Sequence, residues 1–218
     1  MDLARLKARP FLACTLLVVC IAVASLLSNI TTDAQLSGQA EAITYVRKVV
    51  SKFLNSGTLW AALGFYAGWL WSGSRTHPAP LWVPVVAAAA ASLGALAGHY
   101  ALGNLLGIME PSIWIENYHW FIAAVIISGL LGWMGARSAQ EDRIGKLLRY
   151  LVPVGAVAEP LVTGMFWYPS GFNFPVSEIA SSYTVGLLLM LLGVLGLWVV
   201  YRANKATVPT LENPRRRF

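Results

Sequence analysis

Apolar residues along this chain come in long runs broken by short polar connectors. Six runs stand out, at about residues 11–30, 57–73, 81–103, 118–136, 147–167 and 181–201. Each approaches the roughly 20 residues of helix that a hydrocarbon core about 30 Å thick requires. The pattern predicts an all-α fold: a polytopic transmembrane helical bundle of six helices, with residues 1–218 forming one integral membrane domain. The stretch 37–54 differs in kind. Ile43, Val46, Val49, Val50, Phe53 and Leu54 recur at helical spacing, against Glu41, Arg47, Lys48, Ser51 and Lys52. It predicts an amphipathic helix lying in the membrane interface, with a polar connector capped at Ser37 as the alternative.

Composition agrees with the runs. The chain is 57% hydrophobic and 12% charged, whereas a soluble globular chain carries about 25% charged residues. The net charge of +6 could point to nucleic acid, but the basic residues are spread between apolar runs. They follow a topology rule instead. With the N-terminus in the cytoplasm, all of the 16 basic residues except Arg47, Lys48 and Lys52 fall on cytoplasmic segments, including the tail 202–218 with Arg215, Arg216 and Arg217. The excess of Lys and Arg near helix ends sets orientation, so both termini are expected to be cytoplasmic, with anionic lipid at that face as a partner. Arg5, Lys7 and Arg9 before Phe11–Leu27, with Ala22-Val23-Ala24 inside that run as a small-residue cleavage site, have the shape of a signal peptide. The apolar run continues past that site, which favours an uncleaved first helix over cleavage near residue 24.

Small residues recur where helices must approach closely. Gly64 and Gly68 form a G-x-x-x-G pair, Ala87, Ala91, Gly94 and Gly98 draw a ridge on the third run, and Gly129, Gly132 and Gly135 narrow the fourth. Cys14 and Cys20 lie six residues apart in the first run and should point to different helix faces rather than bridge.

Candidate chemistry centres on Glu159. It falls inside the fifth run beside Pro160, about 18 Å along a helix rising about 1.5 Å per residue from Leu147. A carboxylate there is costly and is expected to face the bundle interior with a partner. It could bind a cation, a proton or a solute. The alternative is a protonated side chain locking two helices by one hydrogen bond. His99 and Tyr100 end the third run at a similar depth, which would allow a contact between His99 and Glu159; an interfacial histidine bound to water is the alternative. Asn55, before Ser56, Gly57 and Thr58, is a candidate cap for the second helix or a ligand contact. Glu110, Glu116, His119 and Glu178 lie at the outer side without metal-ligand spacing, so no metal site and no particular cofactor is indicated. There is no G-x-x-x-x-G-K-[ST], H-E-x-x-H or G-x-S-x-G.

The residues Asn55-Ser56-Gly57-x-x-Trp60-x-x-x-x-Phe65-x-x-Gly68, with Tyr100 and Glu159, make residues from about 50 to 200 similar to an uncharacterised bacterial family of multi-pass integral membrane proteins. That resemblance implies the architecture and a bacterial inner membrane. It supplies no catalytic or binding assignment, because the family's function is unknown.

Three functions follow as expectations. The first is small-solute or ion handling through an outward-facing cavity around Glu159, His99, Tyr100 and Asn55. The second is a non-enzymatic scaffold or partner-binding subunit, as a homo-oligomer or with another membrane protein. The third is a membrane enzyme acting on a lipid-linked substrate through Glu110, Glu116 or Glu159.

Overall fold

The computed structural model describes residues 3–30, 40–74, 77–168 and 174–206. The start of the amphipathic segment at Ser37, Arg75, the tail beyond Ala206 and most of the Tyr168–Gly171 break lie outside those residues. Among the described residues the structure is helical: α1 (Leu3–Asn29), α2 (Glu41–Leu54), α3 (Gly57–Leu70), α4 (Trp82–Leu105), α5 (Ile113–Glu116), α6 (Tyr118–Ser138), α7 (Arg143–Leu148), α8 (Leu151–Val162) and α9 (Val176–Ala206).

Among the described residues, three helices are long and apolar enough to cross a membrane: Trp82–Leu105, Tyr118–Ser138 and Val176–Lys205. A shorter apolar stretch, Phe11–Leu26, lies within α1. The second and fifth runs differ from the sequence expectation. The helix α3 has 14 residues and α8 has 12, so at about 1.5 Å per residue both fall short of a core about 30 Å thick. The fifth run is divided because the chain leaves α7 at Arg149 and Tyr150 before α8 begins. Within α8, Pro160 removes one backbone donor, and the helix ends two residues later at Val162.

Close approaches fix the directions of the helices. Gly94 and Gly98 of α4 face Val18 and Ala22 of α1, so those helices run parallel. Gly64 and Gly68 of α3 face Ser128 and Gly132 of α6, also in parallel, while Val85 of α4 reaches Gly129 of α6 in the antiparallel sense. The heart of this group is Ile21, Leu63, Ala67, Ala88, Ala91 and Ala95. Its packing depends on missing side chains. A methyl group on Gly68 would strike the Gly132 backbone, one on Gly132 would strike Ala88 and the Pro84 carbonyl, and one on Gly135 would strike the Phe65 carbonyl. Across the same seam the Ser128 hydroxyl donates to Ser92 Oγ at 2.7 Å, with both residues buried.

The hairpin of α8 and α9 packs separately, with Gly193 against Val157 and Pro153, and Gly186 against Pro160 and Phe166. It joins the first group through α3, which packs on α8, and through α2, which packs on both α9 and α1. One end of the bundle collects residues 71–74 and 77–81, the connector 139–150 and the end of α9. It carries Arg137, Arg143, Lys146, Arg149, Arg202 and Lys205, and is called the basic end below. Cys14 and Cys20 are free thiols.

Candidate functional site

Helix α3 begins abruptly, and its first backbone N–H groups have no carbonyl partner within the helix. Three of them are met by side chains. Ser56, in extended conformation, accepts from the Leu59 N–H at 3.3 Å. Glu159 reaches across from α8, its Oε1 accepting from the Gly57 N–H and its Oε2 from the Thr58 N–H, each at 2.7 Å. Both oxygens serve as acceptors, at the short distances of charge-assisted bonds. An anion at a helix N-terminus also meets the positive end of the helix dipole, a stabilisation of about 0.3–1 kcal/mol when exposed and up to about 2 when partly buried. Glu159 is half-buried. The cap on α3 is therefore Ser56 together with Glu159, and not Asn55. Asn55 ends α2 instead: its Nδ2 donates to the Ser51 carbonyl at 2.9 Å and its Oδ1 accepts from the Ser25 hydroxyl of α1 at 3.1 Å.

His99 and Tyr100 turn to other neighbours. The His99 ring is buried, hydrogen-bonds the Ala22 carbonyl of α1 and leaves its Nδ1 without a partner. Tyr100 joins an aromatic cluster with Trp114, met edge-on, and Phe121, met at a tilt, ring centres 5.7 and 5.8 Å away. Asn104 closes the connector beside it, donating to the Met109 and Glu110 carbonyls at 2.9 and 3.0 Å while accepting from the Trp114 indole. The structure thus brings Glu159 and Asn55 to neighbouring residues of one helix junction. It gives His99 and Glu159 no hydrogen bond to each other.

A second carboxylate near this junction has different partners. Glu178, at the start of α9, receives Lys52 at 2.6 Å and Lys48 at 2.9 Å. Lys52 also reaches the Ser182 hydroxyl and the Glu178 carbonyl, and Tyr45 shares a 2.7 Å hydrogen bond with Thr184. The polar side of α2 is thereby turned onto α9, while Ile43, Val46 and Val50 are exposed.

At the basic end a cavity of about 780 Å³ lies between α3 and α9, with Phe65, Tyr66 and Trp69 on one side and Val199, Val200 and Ala203 on the other. Its polar edge includes Ser138, Glu141 and Arg149. Arg149 binds the Ser138 carbonyl at 2.9 Å, the Gln140 carbonyl at 3.1 Å, Glu141 at 3.0 Å and Asn204 at 2.9 Å. It fastens the 139–150 connector to α9. None of Glu159, His99, Tyr100 or Asn55 lines this cavity.

Sequence reasoning missed the Lys48–Lys52–Glu178 cluster, which joins residues far apart in the chain, and the Arg149 knot, half of which is made to backbone carbonyls that no residue type announces. Among the described residues no three His, Cys, Asp or Glu side chains stand together to hold a metal ion. Comparison of the chain with protein-family models, curated proteins and solved structures returns no match.

Proposed function

We propose that the protein is a non-enzymatic subunit of a bacterial inner membrane, a six-pass scaffold that binds partner chains, with both termini in the cytoplasm. The observation that carries this reading is the use of Glu159. Both of its oxygens are committed to the first turn of α3, so the costly intramembrane carboxylate stabilises a helix junction rather than lining an open site. The short helices α3 and α8 lie side by side, with the carboxylate near the end of α8 set against the start of α3. Extraction in mild detergent, followed by light scattering and mass spectrometry of the purified particle, tests the proposal. A stoichiometric partner or a homo-oligomer is expected, and a lone chain would count against it.

Solute handling is a second reading, and the cavity of about 780 Å³ between α3 and α9 favours it. In this form the solute meets Tyr66, Trp69 and the basic end, not Glu159. Uptake or ligand-induced thermal shift that falls with Tyr66→Ala and survives Glu159→Gln would support it. The membrane-enzyme reading has residue types in its favour, but both oxygens of Glu159 are already engaged by the Gly57 and Thr58 N–H groups.

A further inference from the structure

Helix α2 carries three basic residues, and they are used unequally. Lys48 and Lys52 share Glu178. Among the described residues Arg47 has no carboxylate partner: its one hydrogen bond there runs from Nη1 to the Ser28 carbonyl at a long 3.4 Å, and its Nε is buried without a partner. Buried polar groups are nearly always paired, so an orphaned guanidinium donor calls for an explanation.

Its surroundings supply one. Ile43, Val46, Arg47 and Val50 fall at the spacing that shares one helix face, so the cation stands inside the apolar stripe and not opposite it. That stripe is open, with Ile43 64%, Val46 57% and Val50 41% exposed. Together with Ala24 and Ser28 of α1 it forms a groove of about 600 Å³ whose walls are almost wholly apolar. A channel of this kind, with a cation at its edge that meets no carboxylate among the described residues, complements a molecule that has a hydrocarbon chain and a single anionic head. Guanidinium pairs with phosphate through parallel N–H donors.

We infer that the α1–α2 groove binds a membrane phospholipid with an anionic headgroup, its phosphate at Arg47 and its acyl chain along Ile43, Val46 and Val50. The site requires that the protein lie in a bilayer and is independent of the scaffold and solute readings. It differs from general attraction of anionic lipid to the basic end, because the groove is at the opposite end and depends on one residue.

The test uses the full chain in bilayer discs of phosphatidylglycerol and phosphatidylcholine in equal parts, with lipids retained after mild detergent counted by native mass spectrometry. The parent is expected to keep phosphatidylglycerol over phosphatidylcholine by roughly fivefold, the weight of about one basic residue at an anionic surface. Arg47→Gln should abolish that preference, while Lys205→Gln at the basic end should leave it. Equal retention of the two lipids by the parent, or an unchanged preference in Arg47→Gln, overturns the inference. Should Arg47→Gln not fold, the parent's ranking and Ala24→Phe, which fills the groove and leaves Arg47 in place, decide it: Ala24→Phe should expel the lipid. A groove covered by a second copy of the chain would give a dimer with no retained lipid, and that also overturns it.

Discussion

The seam between α3, α4 and α6 and the junction between α2, α3, α8 and α9 hold helices together by opposite means. In the seam, helices touch because side chains are absent. Gly68, Gly132 and Gly135 leave backbone against backbone, and the attraction is van der Waals contact summed over close surfaces. At the junction, helices are held by full charges at chosen atoms: Glu159 on two N–H groups of α3, and Glu178 on two lysines of α2. The seam has no slack and should fail sharply under added volume. The junction is partly open to its surroundings and should weaken in steps as donors or acceptors are removed.

Gly132→Leu gives the largest expected effect. Its side chain would have to occupy the space of Ala88 and the Pro84 carbonyl, and backbone cannot turn aside as a flexible side chain can. The loss should exceed the about 1–3 kcal/mol typical of overpacking, seen as aggregation or an early thermal transition in tryptophan fluorescence. A variant as stable as the parent would show that α4 and α6 are not packed this closely.

Glu159→Ala comes next. It strips the Gly57 and Thr58 N–H groups of their acceptors, at about 1–3 kcal/mol for a fully buried orphan. Because Gly57 is exposed, about 2 kcal/mol in all is expected. Glu159→Gln retains one acceptor oxygen and should lose roughly half as much, whereas Gly57→Ala, whose added methyl would stand 3.6 Å from Glu159 Oε1, should be close to neutral. If Ala and Gln at position 159 behave alike in detergent melts, charge at the helix end is the whole effect. If neither moves the melt, the junction is not a brace.

The lysine pair should matter less. Lys48, Lys52 and Glu178 side chains are 21%, 26% and 32% exposed, and ion pairs open to solvent contribute at most about 1 kcal/mol. Replacing both lysines by Met should lower stability by about that amount and loosen α2 from α9, read as faster hydrogen exchange in residues 41–54. Exchange equal to the parent's would mean that Tyr45 and the apolar contacts hold α2 unaided.

How legible each region was follows from the same contrast. The seam is written locally: glycines at helical spacing, within apolar runs, announce close packing before any partner is known. The junction is not. The two N–H groups that receive Glu159 belong to the backbone of every residue type, so only the abrupt start of α3 marks them, and the cap the sequence offers there, Asn55, is one residue before the Ser56 that the structure uses. The amphipathic character of α2 was plain from its spacing. Its orientation was not, because the carboxylate that neutralises Lys48 and Lys52 lies in α9, more than a hundred residues later. The fifth run holds a single arginine near its start, and nothing local shows that α7 and α8 part at this Arg149, whose hydrogen bonds hold the 139–150 connector.

The smallest expected effect lies at the basic end and separates a charge from a cap. Asp142 opens α7: its Oδ1 accepts from the Gly145 N–H at 2.8 Å while Oδ2 pairs with Arg137. The Arg137 guanidinium first, and the Gly145 N–H second, hold its carboxyl below the ordinary value. The folded chain therefore takes up this proton at lower pH than the unfolded chain. The stabilisation is fully present above the unfolded carboxylate range, near pH 4, and is lost as pH falls through the depressed folded value. Asn at this position keeps a capping oxygen for Gly145 but cannot titrate. Asp142→Asn should therefore change stability little at neutral pH and flatten the acid limb of a melting-temperature-against-pH curve. An acid limb as steep as the parent's would assign that loss to other groups and take the pH sensitivity away from the basic end.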